Sequence, residues 1–264
     1  MTSLEIKQGP RVLQTQVVRQ REQAAVRRKR WFYLALFGVA LVAPLAVYPV
    51  FLMKLLCFAL FACAFNLLLG YAGLLSFGHA AFFATGGYIT GYLLSEYSGL
   101  GTELGILAGT LASTLLGLGF GLLAIRRQGI YFAMITLALA QLVFFIYMQA
   151  PFTGGEDGLH GVPRGQLFGL FDLNNNLTLY YFVLAVFVFG YAVIQRTIHS
   201  PYGQVLKAIR ENEPRAISLG YNVDAHKLLA FVISAALTGL AGSTKTVVFQ
   251  LASLTDAHWH MSGE

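Results

Sequence analysis

Apolar residues in this chain run in long blocks. Seven stretches, at about 31–50, 53–71, 74–94, 104–124, 130–150, 177–195 and 228–250, carry few charged side chains. Each approaches the roughly 20 residues that a helix needs to cross a bilayer. The pattern predicts an all-α, polytopic transmembrane helical bundle of about seven spans. The polar stretches between the blocks are unequal, and three of them stand out: 1–30, 151–176 and 196–227.

Residues 1–30 hold Lys7, Arg11, Arg19, Arg21, Arg27, Arg28, Lys29 and Arg30 against Glu5 and Glu22, and Trp31 then opens the first apolar run. Such an arm belongs on the cytosolic side, and 31–50 is too long for the apolar region of a cleaved signal peptide. It reads as an uncleaved span, so the chain divides into a basic cytosolic arm, 1–30, and a membrane domain, 31–264.

Composition excludes the soluble alternatives. Of 264 residues, 56% are apolar and 11% charged, with a mean hydropathy of +0.64; a soluble domain carries about 25% charged residues. A soluble globular domain, a disordered chain and a nucleic-acid-binding domain are therefore ruled out. The net charge of +6 is explained by topology. With the N-terminus inside and all seven runs crossing, fifteen of the eighteen Lys and Arg lie in cytosolic segments. These are the arm, Arg126 and Arg127, and Arg196, Lys207, Arg210, Arg215 and Lys227, while the outer loops keep Arg164 alone. Lys54 and Lys245 lie near segment ends or within a segment. Gly73, Gly78, Gly86, Gly87 and Gly91 would let the third run dip in and return, but that reverses everything downstream and spoils the charge count. A full crossing, broken midway, is the expectation.

Glycine is abundant, at 28 residues, and recurs at four-residue spacing: Gly101, Gly105 and Gly109; Gly117 and Gly121; Gly87 and Gly91. Small residues at i and i+4 let membrane helices approach closely, so these faces are expected to pack helix on helix.

Catalysis has no constellation to stand on. The sequence lacks GxxxxGK[ST], HExxH, CxxC and GxSxG, and its histidines (79, 160, 199, 226, 258 and 260) are scattered. His258 and His260, two apart, would face opposite ways on a helix and read as a solvated or interfacial pair. Cys57 and Cys63, six apart in one run, are poorly placed for a disulfide or a zinc site. No metal and no cofactor is expected in this chain.

Polar groups inside the apolar runs are few: Lys54, Asn66, Ser76, His79, Thr136, Gln141 and Lys245. An ionisable residue within a span marks a functional site by default, which singles out His79 in the glycine-rich stretch Ser76-Phe77-Gly78-His79. A broken helix there would free backbone groups to line a passage; the alternative is that His79 bonds a neighbouring helix. Lys54 is expected to snorkel to the outer interface.

The 196–227 segment is longer than a turn requires. After Pro201 and Gly203, Val205, Leu206 and Ile209 share one helical face, with Lys207 and Arg210 towards another. Glu213, read as an N-cap before Pro214, and Gly220, as a C-terminal stop, delimit a second short helix. Such a pair fits a groove on a partner subunit, or lies on the anionic inner leaflet. The loop 151–176, with Gly154, Gly155, Glu156, Asp157 and Gly158, is turn-rich and acidic, and suits either an external partner or a solvated cap.

The run Asn66-Leu-Leu-Leu-Gly70-Tyr71-Ala-Gly73-Leu-Leu-Ser76-Phe77-Gly78-His79-Ala80-Ala-Phe82-Phe83 resembles the signature stretch of the LivM-type permeases of branched-chain amino acid ABC importers. Thr153-Gly154-Gly155-Glu156-Asp157-Gly158-Leu159 resembles that family's external loop, and 203–220 its cytosolic coupling segment. The general ABC-permease pattern E-A-A-x-x-x-G is matched only at Ala216 and Gly220. The resemblance, which spans about 53–264, implies a permease domain over 31–264 whose 196–227 segment sits on ATPase subunits through Gly203, Leu206, Ile209, Arg210, Ala216 and Gly220. It implies a translocation pathway near Asn66, Ser76, Gly78 and His79, and an external loop built on Gly154, Gly155, Asp157 and Gly158.

By the same resemblance the chain is a bacterial inner-membrane permease with no catalysis of its own. Its partners are a second homologous permease subunit, two ATPase subunits that bind the ATP, a soluble substrate-binding protein and the lipid bilayer, with no nucleic acid. The substrate is a branched-chain amino acid, with urea or short amides as alternatives. A self-sufficient secondary transporter using His79 as a proton site is the rival from another class, disfavoured by the cytosolic helices; a membrane-embedded enzyme is a distant third. The basic arm is longer than the resemblance implies. Related permeases continue past a stretch like Ser262-Gly263-Glu264 into further apolar helices, so a C-terminally truncated form is expected.

Overall fold

A computed structural model describes residues 38–263 apart from 98, 100, 128, 168 and 170. The basic arm 1–30 and the opening of the first predicted span, 31–37, lie outside the described residues. Residues 38–46 are helical and belong to a unit that ends at Tyr48; the unit Pro49–Glu264 is described by itself.

Helix α1 (Pro49–Asn66) continues as a single π-helical stretch, Leu67–Ala72, and is followed by α2 (His79–Glu96), α3 (Thr102–Ala124) and α4 (Ile130–Gln149). A long loop leads to α5 (Asn176–Ile198), two short helices α6 (Pro201–Glu211) and α7 (Glu213–Ser218), the long α8 (Val223–Phe249) and a final turn α9 (His260–Gly263). Among the described residues, five helical stretches are long and apolar enough to cross a bilayer: Pro49–Ala72, Thr102–Ala124, Ile130–Gln149, Asn176–Ile198 and Val223–Phe249. The protein is an all-α, multi-pass membrane protein.

Helix α2 falls short of that apolarity because Thr85, Gly86, Gly87, Thr90 and Gly91 interrupt its hydrophobic residues. The structure explains the substitution pattern: these residues face other helices. Thirteen of its eighteen residues are buried, against α8 on one side and α3 on the other. Gly86 lies directly on the backbone of Gly239, and Gly242 on the carbonyl of Phe83, so at both points α2 and α8 touch through main chain. Gly105 meets Leu94, Gly109 meets Thr90 and Ser243, Gly117 meets Ala235 and Gly121 meets Leu228, which packs α3 on α2 and α8 as the spacing predicts. Gly101 departs from that expectation, since it caps the start of α3 and its nearest neighbour is that helix's own Glu103. Phe82, Phe120, Phe132 and Phe231 fill the centre, with ring centroids 5.2–5.9 Å apart in edge-to-face contacts.

The break expected midway in the third span falls at its start. Residues 73–78 are non-helical: Gly73, at φ 71°, caps the π stretch, and α2 begins only at His79. The amide of Phe77, released from helical bonding, is taken by Thr136 Oγ1 at 3.2 Å.

The two ends of the bundle differ. At one end the 151–176 loop forms short two-residue strands that the sequence pattern did not announce: β1 (Leu159–His160), β2 (Gln166–Leu167) and β3 (Phe171–Asp172), with β4 (Leu251–Ala252) contributed from beyond α8. β1 pairs antiparallel with β4, in the register Leu159↔Ala252, and β2 with β3. Thr102 Oγ1 donates to the Arg164 carbonyl at 2.6 Å, and the Arg164 guanidinium donates to the Val248 carbonyl at 2.8 Å. The loop is thereby tied to the start of α3 and the end of α8. At the other end stand α6 and α7, against the π stretch and the start of α8.

Candidate functional site

The α6–α7 segment is built from local caps. Ser200 Oγ accepts from the amide of Gly203 at 3.3 Å and Pro201 occupies the first turn. Gly203 packs on the carbonyls of Thr197 and Ile198, so no side chain fits there. The cap of α7 is Asn212, whose Oδ1 accepts from the Arg215 amide at 3.0 Å; Glu213, expected as that cap, sits inside the helix. Its carboxylate pairs instead with Lys227 Nζ at 2.6 Å, fastening α7 to the first turn of α8. Gly220 reverses the chain at φ 86°, a conformation open to glycine at little cost.

The apolar face of α6 turns inwards. Leu206 is fully buried in a cluster that includes Leu68, Ala72 and Leu74 of the π stretch and its sequel, while Ile209 packs with Ala216 and Val223. The apolar face expected to seat in a partner's groove or on the leaflet is therefore turned into the chain's own core, which buries Leu206 and Ile209 and partly covers Val205. Arg210 donates to the carbonyl of Gly70 in the π stretch, and Lys207 lies over the Tyr71 ring at 5.5 Å. Tyr202 donates to the His226 carbonyl at 2.7 Å and stacks on that ring, and burial pushes its phenol above the usual range. What the segment offers outward is another set, Ile217, Leu219 and Tyr221, with 57%, 67% and 43% of their surface exposed. They flank Gly220 among polar neighbours, and sequence periodicity missed them because α7 is too short to show a face.

The glycine-rich break brings Ser76, Gly78 and His79 together, while Asn66 stays exposed on α1 with its carboxamide over Gly70. Ser76 Oγ accepts from the Gly78 amide at 3.2 Å. His79 is fully buried. Its Nε2 lies 2.8 Å from Ser234 Oγ, and Ser234 donates to the Ala64 carbonyl at 2.6 Å. Since the serine's one proton goes to Ala64, the imidazole is the donor. His79 thereby links α2 to α8 and, through Ser234, to α1. Phe65, Phe82 and Phe231 surround its ring at 5.1–6.2 Å.

A further polar centre lies in the half of the bundle near the loop. Lys245, in the last two turns of α8, pairs with Asp256 in the 3₁₀ turn Leu254–Ala257, both residues being 9% exposed. The sequence pattern showed Lys245 as a polar residue in a span but gave no sign of its partner, because Asp256 lies beyond the last apolar run. After β4 the chain turns back alongside α2 and reaches Ser262, whose Oγ accepts from the Ala80 amide at 2.8 Å. The segment 251–262 therefore packs against the bundle. It begins beneath the loop turn, where Gly154, Gly155 and Gly158 all hold positive φ and Gly158 rests on the Ala252 carbonyl. Asp157 is exposed, and its carbonyl bonds the His160 ring at 2.8 Å. His258 and His260, expected to diverge, stack at 5.4 Å because α9 starts only at His260. Among the described residues no three His, Cys, Asp or Glu side chains converge as metal ligands.

Comparison with known proteins identifies a family. Residues 50–262 match the family described as branched-chain amino acid transport system / permease component. The high-affinity branched-chain amino acid transport system permease protein LivM of Salmonella typhimurium is 33% identical over 201 residues, covering 67% of this chain and 47% of that protein. LivM of Escherichia coli is 32% identical over 201 residues, with the same coverage. The chain spans about half the length of the curated relatives it matches. No solved structure matches it significantly. A multi-pass helical bundle and a family match over nearly all the residues from α1 onward lead to one conclusion: the chain belongs to the permease family of branched-chain amino acid transport systems.

Proposed function

We propose that this chain is the permease subunit of an ATP-driven importer of branched-chain amino acids in the bacterial inner membrane. The observation that carries the reading is the α6–α7 segment: it is rigidly anchored inward by Leu206, Ile209 and the Lys227–Glu213 pair, yet presents Ile217, Leu219 and Tyr221 outward. Apolar side chains held out among polar ones are the anchors of a docking surface. The partner at that end is an ATPase subunit, which binds the ATP that drives transport. The α6–α7 end faces the cytosol, because Arg196, Lys207, Arg210, Arg215 and Lys227 all gather there while Arg164 lies at the opposite end. A seven-span topology with the basic arm inside follows from the same charges. Helix α2 supports the crossing of the third span: its first residues lie beside Ser234, mid-way along α8, and its last turns reach the loop, where Tyr92 meets Phe152 at 5.7 Å.

A second permease subunit would complete the passage, and a soluble binding protein would deliver substrate to the loop end. Replacing Ile217, Leu219 and Tyr221 together with Ala is the test. Membrane insertion and thermal stability are expected to hold, while co-purification of the ATPase subunits and ATP-driven uptake of labelled leucine fall at least tenfold. Undiminished ATPase capture would remove the docking role from α7 and, with it, the main support for the reading.

A further inference from the structure

The Lys245–Asp256 pair is a feature of the outer half that packing alone does not account for. A charge in the membrane interior costs several kcal/mol unless paired, and apolar residues of similar size usually serve a fold as well or better. Yet Lys245 places a charge in the buried half of α8, and the pair joins that helix to a segment that doubles back beside α2. A second observation points to a ligand. The Tyr88 hydroxyl of α2 is completely buried and has no hydrogen-bond partner among the described residues. Tyr88 shares its apolar cluster with Ala252, Leu254 and Ala257, the residues on either side of Asp256. An unpaired hydroxyl in such a place is expensive, which makes it a polar contact available to a ligand. The pair is also not fully sealed, with 11% of the Lys245 side chain and 12% of the Asp256 side chain exposed. Its carboxylate lies four residues beyond Ala252, on which the loop turn at Gly158 rests, so it stands at the loop end of the bundle.

We infer that Lys245 and Asp256 form an exchangeable ion pair that recognises a zwitterion, Lys245 taking an α-carboxylate and Asp256 an α-ammonium, with the Tyr88 hydroxyl as an additional polar contact. This deepens the importer reading and rests on it for the identity of the ligand as an amino acid. The electrostatic logic is that of partner exchange. Without ligand the two charges neutralise each other. A zwitterion entering between them makes two ion pairs out of one, and the net charge in the low-dielectric interior stays zero throughout. Neither an anion nor a cation can do this, because each would leave one protein charge unpaired. An uncharged solute such as urea has nothing to exchange. Discrimination follows from the penalty on the wrong ligand as much as from attraction to the right one.

The test uses the purified chain with its partner subunits in detergent micelles, and the probes are L-leucine, 4-methylpentanoate, 3-methylbutylamine and urea, each at tens of millimolar. Thermal unfolding of the wild type is expected to shift upward by several degrees with leucine and not with the two singly charged analogues or urea. The double variant Lys245→Met/Asp256→Leu removes both charges together, so it avoids a stranded ion and should fold with unchanged or raised stability. It is expected to lose the leucine shift. Tyr88→Phe should keep the fold and reduce the shift. No leucine shift in the wild type, or an equal shift in the double variant, would overturn the inference and leave the pair as a tie for the 251–262 segment. A wild-type leucine shift without ATP-driven uptake would count against the importer reading and support the pair as a zwitterion site.

Discussion

Leu206→Ala should loosen α6 from the bundle while leaving the outward surface of α7 chemically intact. Leu206 has none of its surface exposed and packs among Leu68, Ala72 and Leu74. Truncating a fully buried leucine costs about 2–5 kcal/mol, the spread depending on how far the site collapses. The neighbouring anchors, Ile209 in its own small cluster, the Lys227–Glu213 pair and Arg210 on Gly70, remain, so the expected loss is towards the lower end, about 3 kcal/mol. Because the segment is an end element, that loss appears first as local opening. Every 1.4 kcal/mol is tenfold in population, so the open fraction rises by about a hundredfold. Limited proteolysis within 200–222, run under conditions where opening and closing outpace cleavage, reads that fraction directly. Leu219→Ala is the control, since a residue 67% exposed should change stability by no more than about 0.5 kcal/mol. The reasoning is refuted if Leu206→Ala leaves the cleavage rate of this segment at the wild-type value, or if Leu219→Ala accelerates it equally.

Three other substitutions probe the remaining elements. His79→Ala removes the α2–α8 bond to Ser234 and three aromatic contacts, and should lower stability by about 2–4 kcal/mol in a detergent unfolding assay; full stability with lost uptake would instead make His79 a passage residue. Gly242→Ala drives a Cβ into the Phe83 carbonyl, where backbone on both sides resists movement, so folded protein in the membrane should drop sharply. Gly119→Ala meets nothing within 4 Å and should stabilise α3 by roughly 0.5–1 kcal/mol, as measured by thermal unfolding. For pH, Tyr202 keeps its proton in the folded chain to higher pH than a free phenol. Its contribution is therefore complete below about pH 10 and is lost as pH rises beyond. Proteolysis of the 200–222 segment should accelerate above pH 10, and less so in Tyr202→Phe.

Five of the expected spans were legible in the sequence because lipid imposes one demand on every residue of a span, and a run of twenty apolar side chains records it locally. The small-residue faces were legible for a related reason, since spacing of four on a helix is itself a statement about which residues share a face. Charge placement was equally local. The direction in which α6 presents its apolar stripe was a different matter. Val205, Leu206 and Ile209 announce an amphipathic helix, but periodicity cannot say whether its apolar face meets the same chain or another. Only the position of Leu68, Leu74 and Val223 decides that they face inwards. The same limit concealed Asp256 as the partner of Lys245. A charge pair is chosen by proximity in space, and Asp256 reaches Lys245 because β1–β4 pairing fixes where the chain turns back after α8. Sequence therefore determined which long segments form apolar helices, where the solvent selects residue by residue. Tertiary structure decided which polar groups meet inside it, because each of those choices depends on segments far apart in the chain being folded together.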